Sequence, residues 1–138
     1  MQMKNLLATL SVVLFANQGS ADGIRVGDVY YCNTENLFQA TSGADAEIKK
    51  YKNGPLKFKV EESTITFGNN GVLVDESFYI KQLSLNALQD GGYTDTVYAL
   101  GAFGQHVRLE YVEDTVNILY ANLGNGQIFG LIASCDKF

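Results

Sequence analysis

The chain has 138 residues, a formal net charge of −5, 12% aromatic residues, two cysteines and a single histidine. An acid excess with no long basic run argues against nucleic acid, which is held mainly by basic contacts to phosphate, and against anionic membrane surfaces. Two cysteines and one histidine fall short of a four-ligand structural zinc site, so no metal or other cofactor is expected.

The first element is the opening "MQMKNLLATLSVVLFANQGSADG". Lys4 precedes an uncharged run from Leu6 to Ala16, then come the small residues Gly19-Ser20-Ala21 and the first acid, Asp22. A basic n-region, a short apolar h-region and a small-residue cleavage site predict a signal peptide over residues 1–21, cut after Ala21. Residues 22–138 form one domain by size. The apolar run is about half of the roughly 20 residues that span a bilayer, and no later stretch is long and apolar enough, so no membrane span is expected. Cys32 follows Val29-Tyr30-Tyr31 rather than a small-residue box, which argues against a lipid anchor. The mature chain is expected to be soluble, in the periplasm or secreted.

The next segments read as strands. "RVGDVYYCN" predicts the opening strand, with Tyr30 and Tyr31 on opposite faces, and "ENLFQAT" a second. "ADAEIKKYKN" at 44–53 predicts the only helix, stopped by Pro55, and its lysines Lys49, Lys50 and Lys52 read as a solvated cluster. "PLKFKV" sets Leu56, Phe58 and Val60 against Lys57 and Lys59, and "STITFG" sets Ile65 and Phe67 against Thr64 and Thr66. This period of two predicts a hairpin over 55–68. "FGNNG" is a turn, "SFYIKQLSLN" a further strand, and "DGGY" at 90–93 another turn. "HVRLEYV" and "TVNILYA" alternate in the same way, and "NLGNG" reverses the chain. "QIFGLIASC" is almost wholly apolar, which suggests a strand buried on both sides or a barrel stave, with Gly130 marking a bulge or bend.

Eight or nine short strands with tight links predict an all-β fold. An antiparallel meander closed into a small barrel removes exposed sheet edges, and a flattened β-sandwich is the alternative. An exported chain with two cysteines is expected to pair them, so Cys32 and Cys135 predict a disulfide that makes the first and last strands neighbours.

Chemistry is sparse. His106 stands alone beside Gln105 and Val107, without a serine on a nucleophile elbow. The acid pairs Glu61-Glu62, Asp75-Glu76 and Glu113-Asp114 fall at turns or strand ends, and adjacent strand residues point to opposite faces, so they do not converge as a glycosidase pair. Asp90 and Asp95 lack the spacing of a calcium loop. No catalytic residue is assigned and no enzyme activity is expected. Eight tyrosines and eight phenylalanines remain. Some must fill the core, which is expected to be packed with side chains. Exposed aromatics favour binding, and the candidates are Tyr31, Tyr79, Tyr93, Tyr98 and the terminal Phe138.

The segments "GDVYYCNTENL", "YKNGPLKFKVEESTITFGNNG" and "IASCDKF" resemble a group of small exported bacterial proteins of unknown function. That group shares a YxC start, a "FKFKV…ITFG" centre and an "SCDKF"-like end. The resemblance spans nearly the whole mature chain and implies structure without activity. Small periplasmic lysozyme inhibitors are similar in outline, but their inhibitory loop carries Ser-Gly-x-x-Tyr. This chain has Asp90-Gly91-Gly92-Tyr93 instead, lacking the serine and the spacing. The expected function is a monomeric, non-enzymatic binding module for a protein or envelope component. The alternatives are a lipocalin-like carrier of a small apolar ligand and an enzyme inhibitor of the lysozyme-inhibitor type.

Overall fold

The computed structural model describes residues 23–138 apart from 45, 70, 74 and 75. The predicted signal peptide and its cleavage point lie outside the described residues. Period-two alternation produces the strands. In β4 (Pro55–Val60) Leu56, Phe58 and Val60 are buried while Lys57 and Lys59 are exposed. The chain returns through β5 (Thr64–Phe67), with Phe58 opposite Phe67 and Val60 opposite Ile65, as the predicted hairpin. Pro55 opens β4, where its missing N–H does not interrupt a ladder. β9 (Gln105–Val112) and β10 (Thr115–Gly124) are joined by Glu113 and Asp114, whose φ values are 50° and 65°. β10 turns into β11 (Gln127–Lys137) through Asn125 and Gly126, at φ 52° and 72°. Both links put two consecutive residues in the left-handed region, as primed hairpin turns require.

The sheet closes on itself. β2 (Val29–Thr41), β4, β5, β6 (Ser77–Ile80), β8 (Thr96–Leu100), β9, β10 and β11 follow one another around the barrel, every neighbour antiparallel. β11 then pairs with β2 from Gln127 opposite Thr41 to Lys137 opposite Tyr30. The barrel therefore replaces the sandwich alternative. Cys32 and Cys135 stand opposite each other in β2 and β11 and form the expected disulfide, their Cα atoms 4.0 Å apart. That is closer than the commonest 5.5–6 Å because the two residues face each other across adjacent strands.

β2 is longer than its neighbour β4. Its first half pairs with β4 and its second half with β3 (Ile48–Lys50), a ninth strand outside the closed ring. This corrects the helix predicted over 44–53: Ile48, Lys49 and Lys50 are a strand. The free edge left at Phe38–Ala40 carries backbone groups that need partners, and the returning chain supplies them. The described α-helix lies elsewhere, at α1 (Gln82–Leu88), which begins within the "SFYIKQLSLN" segment predicted as a strand and ends two residues beyond it. β6 and β8 share only two residue pairs, Tyr79 with Leu100 and Ile80 with Ala99. α1 fills the remaining seam. Ser84 and Leu88, four apart on one helix face, are buried, and Ser84 Oγ accepts a hydrogen bond of 3.1 Å from the Tyr98 backbone N–H. β1 (Ile24–Arg25) and β7 (Tyr93–Thr94) form a small separate ribbon, with α1 packed against β7. None of the described helices is long and apolar enough to cross a membrane.

The lumen is filled by rings. Tyr30, Phe58, Phe67 and Phe78 contact one another in sequence around the wall, with centroids 5.1, 5.7 and 5.4 Å apart. Phe78 of β6 then meets Tyr120 of β10 at 5.9 Å. Those strands are not neighbours, so this contact crosses the interior, as expected for a packed small barrel. Gly130 is neither bulge nor bend. The register shift lies in β2, where Glu35 is the extra residue between Thr34 opposite Ala133 and Asn36 opposite Ile132. Gly130 instead makes room for Phe38, whose ring occupies the position of a Cβ at 130.

Candidate functional site

The outward-facing side chains of β8 to β11 and β2 form rows across the strands. One row runs Tyr98, Arg108, Leu119, Ile132, Asn36. The next runs Leu100, His106, Ala121, Gly130, Phe38, Lys50, and a third runs Leu123, Ile128, Ala40, Ile48. Large apolar side chains in the outer rows flank the small Ala121 and Gly130 between them. The result is a groove of about 300 Å³ on the outside of the barrel, lined by Phe38, Tyr98, Leu119, Ile128 and Ile132. Leu119 and Ile132 each remain 37% exposed, and Ile48 and Leu123 extend the apolar surface. The opposite side of the barrel presents Lys57, Lys59, Thr64 and Thr66. Exposed apolar side chains also occur outside these rows, Leu83 of α1 and Phe138 among them.

No acidic side chain lines the groove, and its lining cation, Arg108, is ion-paired with Glu110. Arg108 closes one end: its Nε pairs with Glu110 at 2.5 Å and its Nη1 donates to the Tyr98 hydroxyl at 2.6 Å. The guanidinium also stacks on the Tyr98 ring, 5.0 Å from its centroid. Lys50 is exposed at the other end, directly across from Phe38.

All five aromatic candidates from the sequence are on the surface, but they do not converge on one site, and Tyr31 and Phe138 form a pair of their own. Tyr98 lines the groove, and Tyr79 continues its middle row beyond Leu100. Tyr93 sits under Arg25, whose guanidinium is 5.2 Å from the ring centre. Tyr31 faces out while Tyr30 is buried, as alternation requires. Phe138 folds back onto Tyr31 edge-on at 5.2 Å, and its N–H donates to the Val29 carbonyl at 2.9 Å. Its ring stays 89% exposed. Lys57 covers the Tyr31 ring at 5.6 Å, so this aromatic pair forms a second, smaller surface feature.

The groove's main residues, Leu119, Ile128, Ile132 and Phe38, were missed as site residues. The signal was present: "NILYANL" and "QIFGLI" are apolar at both parities, so a strand with one buried face has to show apolar residues outside. Reading the second run as buried on both sides assumed a cover that the described residues do not supply.

Two polar clusters lie inside. Asp28 accepts hydrogen bonds from the Arg25 backbone N–H (2.9 Å) and the Tyr30 hydroxyl (3.0 Å), and pairs with Lys137 at 2.8 Å. Burial, then the Asp28 charge, holds the Tyr30 phenol well above the usual tyrosine range. At the other end of the barrel, Glu76 keeps one carboxylate oxygen buried with no hydrogen-bond partner among the described residues, and burial raises its carboxyl above the usual range. Burial, then Glu76, raises the Tyr120 phenol in turn. Among the described residues, no three histidine, cysteine or acidic side chains form a metal-binding group. His106 lies on the outer surface, with Leu100 and Ala121 as its cross-strand neighbours. No protein-family model matches the sequence, and no curated protein matches it.

Proposed function

We propose that the protein is an exported, non-enzymatic binding module that meets a protein or envelope partner through the apolar outer face of β9, β10, β11 and β2. The observation that carries this reading is Leu119 and Ile132, opposite each other on neighbouring strands and open to solvent beside a groove. A contiguous apolar patch on the outer wall of the barrel marks an interaction site. The disulfide supports an oxidising compartment, in keeping with the n-region and h-region of residues 1–21. A lipocalin-like carrier holding its ligand in the lumen is disfavoured by the Phe78–Tyr120 contact.

The test is site-specific photo-crosslinking in cells. A crosslinker at Ile132 is expected to trap a discrete partner, and one at Thr66 on the polar side is not. Leu119→Asp should abolish the adduct while leaving the melting temperature within a few degrees, because position 119 is solvent-facing. Equal trapping at both positions, or an adduct that survives Leu119→Asp, would overturn the assignment of this face.

A further inference from the structure

We infer that the outer groove takes one free single-chain amphiphile with an anionic head, of the fatty-acid type. This rests on the outer face being the contact surface. Shape carries the first part. The row of Ala121 and Gly130 is a trough between Leu119 and Ile132 on one side and Ile128 on the other. It runs across β9, β10 and β11, and two interstrand spacings give it a length of roughly 10 Å. Its volume of about 300 Å³ is at the small end of ligand sites. Phe38 closes the trough at Gly130, because its ring already stands where a Cβ would be. A narrow apolar trough of this length suits an extended alkyl chain.

Charge carries the second part. No carboxylate lines the groove, although the chain as a whole carries −5. Arg108 and His106 line one end, and the Glu110 partner of Arg108 lies one row outside. Arg108 commits two of its five N–H donors, so three remain for a head group beside the Tyr98 hydroxyl. Beyond Phe38, which closes the other end, Lys50 has no ion-pair partner among the described residues.

Calorimetric titration with sodium octanoate, decanoate and dodecanoate, each below its micelle concentration, tests the inference. One-to-one binding is expected, tightening about fourfold per added methylene and levelling off once the chain outgrows the trough. Decyltrimethylammonium should bind at least tenfold more weakly than decanoate. Arg108→Gln should erase that preference, and Ile132→Asp should abolish binding with the fold intact. Absence of binding, affinity independent of chain length, or equal affinity for both head groups overturns the inference. So does a dimer in sedimentation that Ile132→Asp dissociates. If alkanoates fail while crosslinking at 132 persists, the ligand class is wrong and the contact face stands; if both fail, the face itself is wrong.

Discussion

Glu76 precedes β6 with one carboxylate oxygen buried and unpaired among the described residues, beside the buried Tyr120 phenol. Burial disfavours its charged form, so its folded pKa is raised. A raised carboxyl contributes stability that is fully present below the unfolded value and is lost as pH rises through the folded value. Glu76→Gln, which mimics the neutral acid, is therefore expected to melt higher than the wild type at pH 7 and close to it at pH 4. Thermal melts across that range check the sign, and a constant difference would place the effect elsewhere. Residue-scale facts of this kind were not legible in the sequence. Glu76 reads there as one half of a solvated Asp75-Glu76 pair, and only the fold turns its oxygen inward. Tyr30 and Tyr31 were legible, because adjacent strand positions must face opposite ways and one must be buried.

At the scale of elements, alternation located β4, β5, β9 and β10 well, and failed where a segment answers to a neighbour. β3 carries the charge pattern of a short helix, yet its backbone completes β2 beyond the end of β4. α1 has no N-cap side chain and no charge pattern to announce it. It is held by the seam it fills, chiefly through Ser84 and the backbone N–H of Lys81, which donates to the Tyr98 carbonyl at 2.8 Å. Ser84→Ala leaves the Tyr98 N–H without its side-chain acceptor and is expected to cost about 1 kcal/mol. The specific readout is hydrogen exchange: protection of the Tyr98 amide should fall several-fold while amides of the β10–β11 hairpin keep theirs.

For the whole molecule, closure is the central event. The β2–β11 seam joins residues about a hundred positions apart, and the disulfide at separation 103 fixes it. Cross-linking so long a loop removes much denatured-state entropy, on the order of 4 kcal/mol. Cys135→Ser is expected to lower the melting temperature by roughly 15 °C and to expose one reactive thiol at Cys32. Two titratable thiols in the untreated protein would contradict the pairing. Asp28 adds a polar clasp at the same end, tying the β2 approach to Lys137 of β11.

The sequence by itself determined the all-β class, the meander, the pairing of Cys32 with Cys135 and the aromatic filling. Each follows from local period, turn chemistry or compartment, which the chain carries in adjacent residues. Tertiary structure alone decided the barrel over the sandwich, the ninth strand, the seam helix and the outer groove. Those depend on which strands become neighbours after closure. Leu119, Ile132, Ile128 and Phe38 come from three strands, and they share a surface only because β2, β10 and β11 lie side by side.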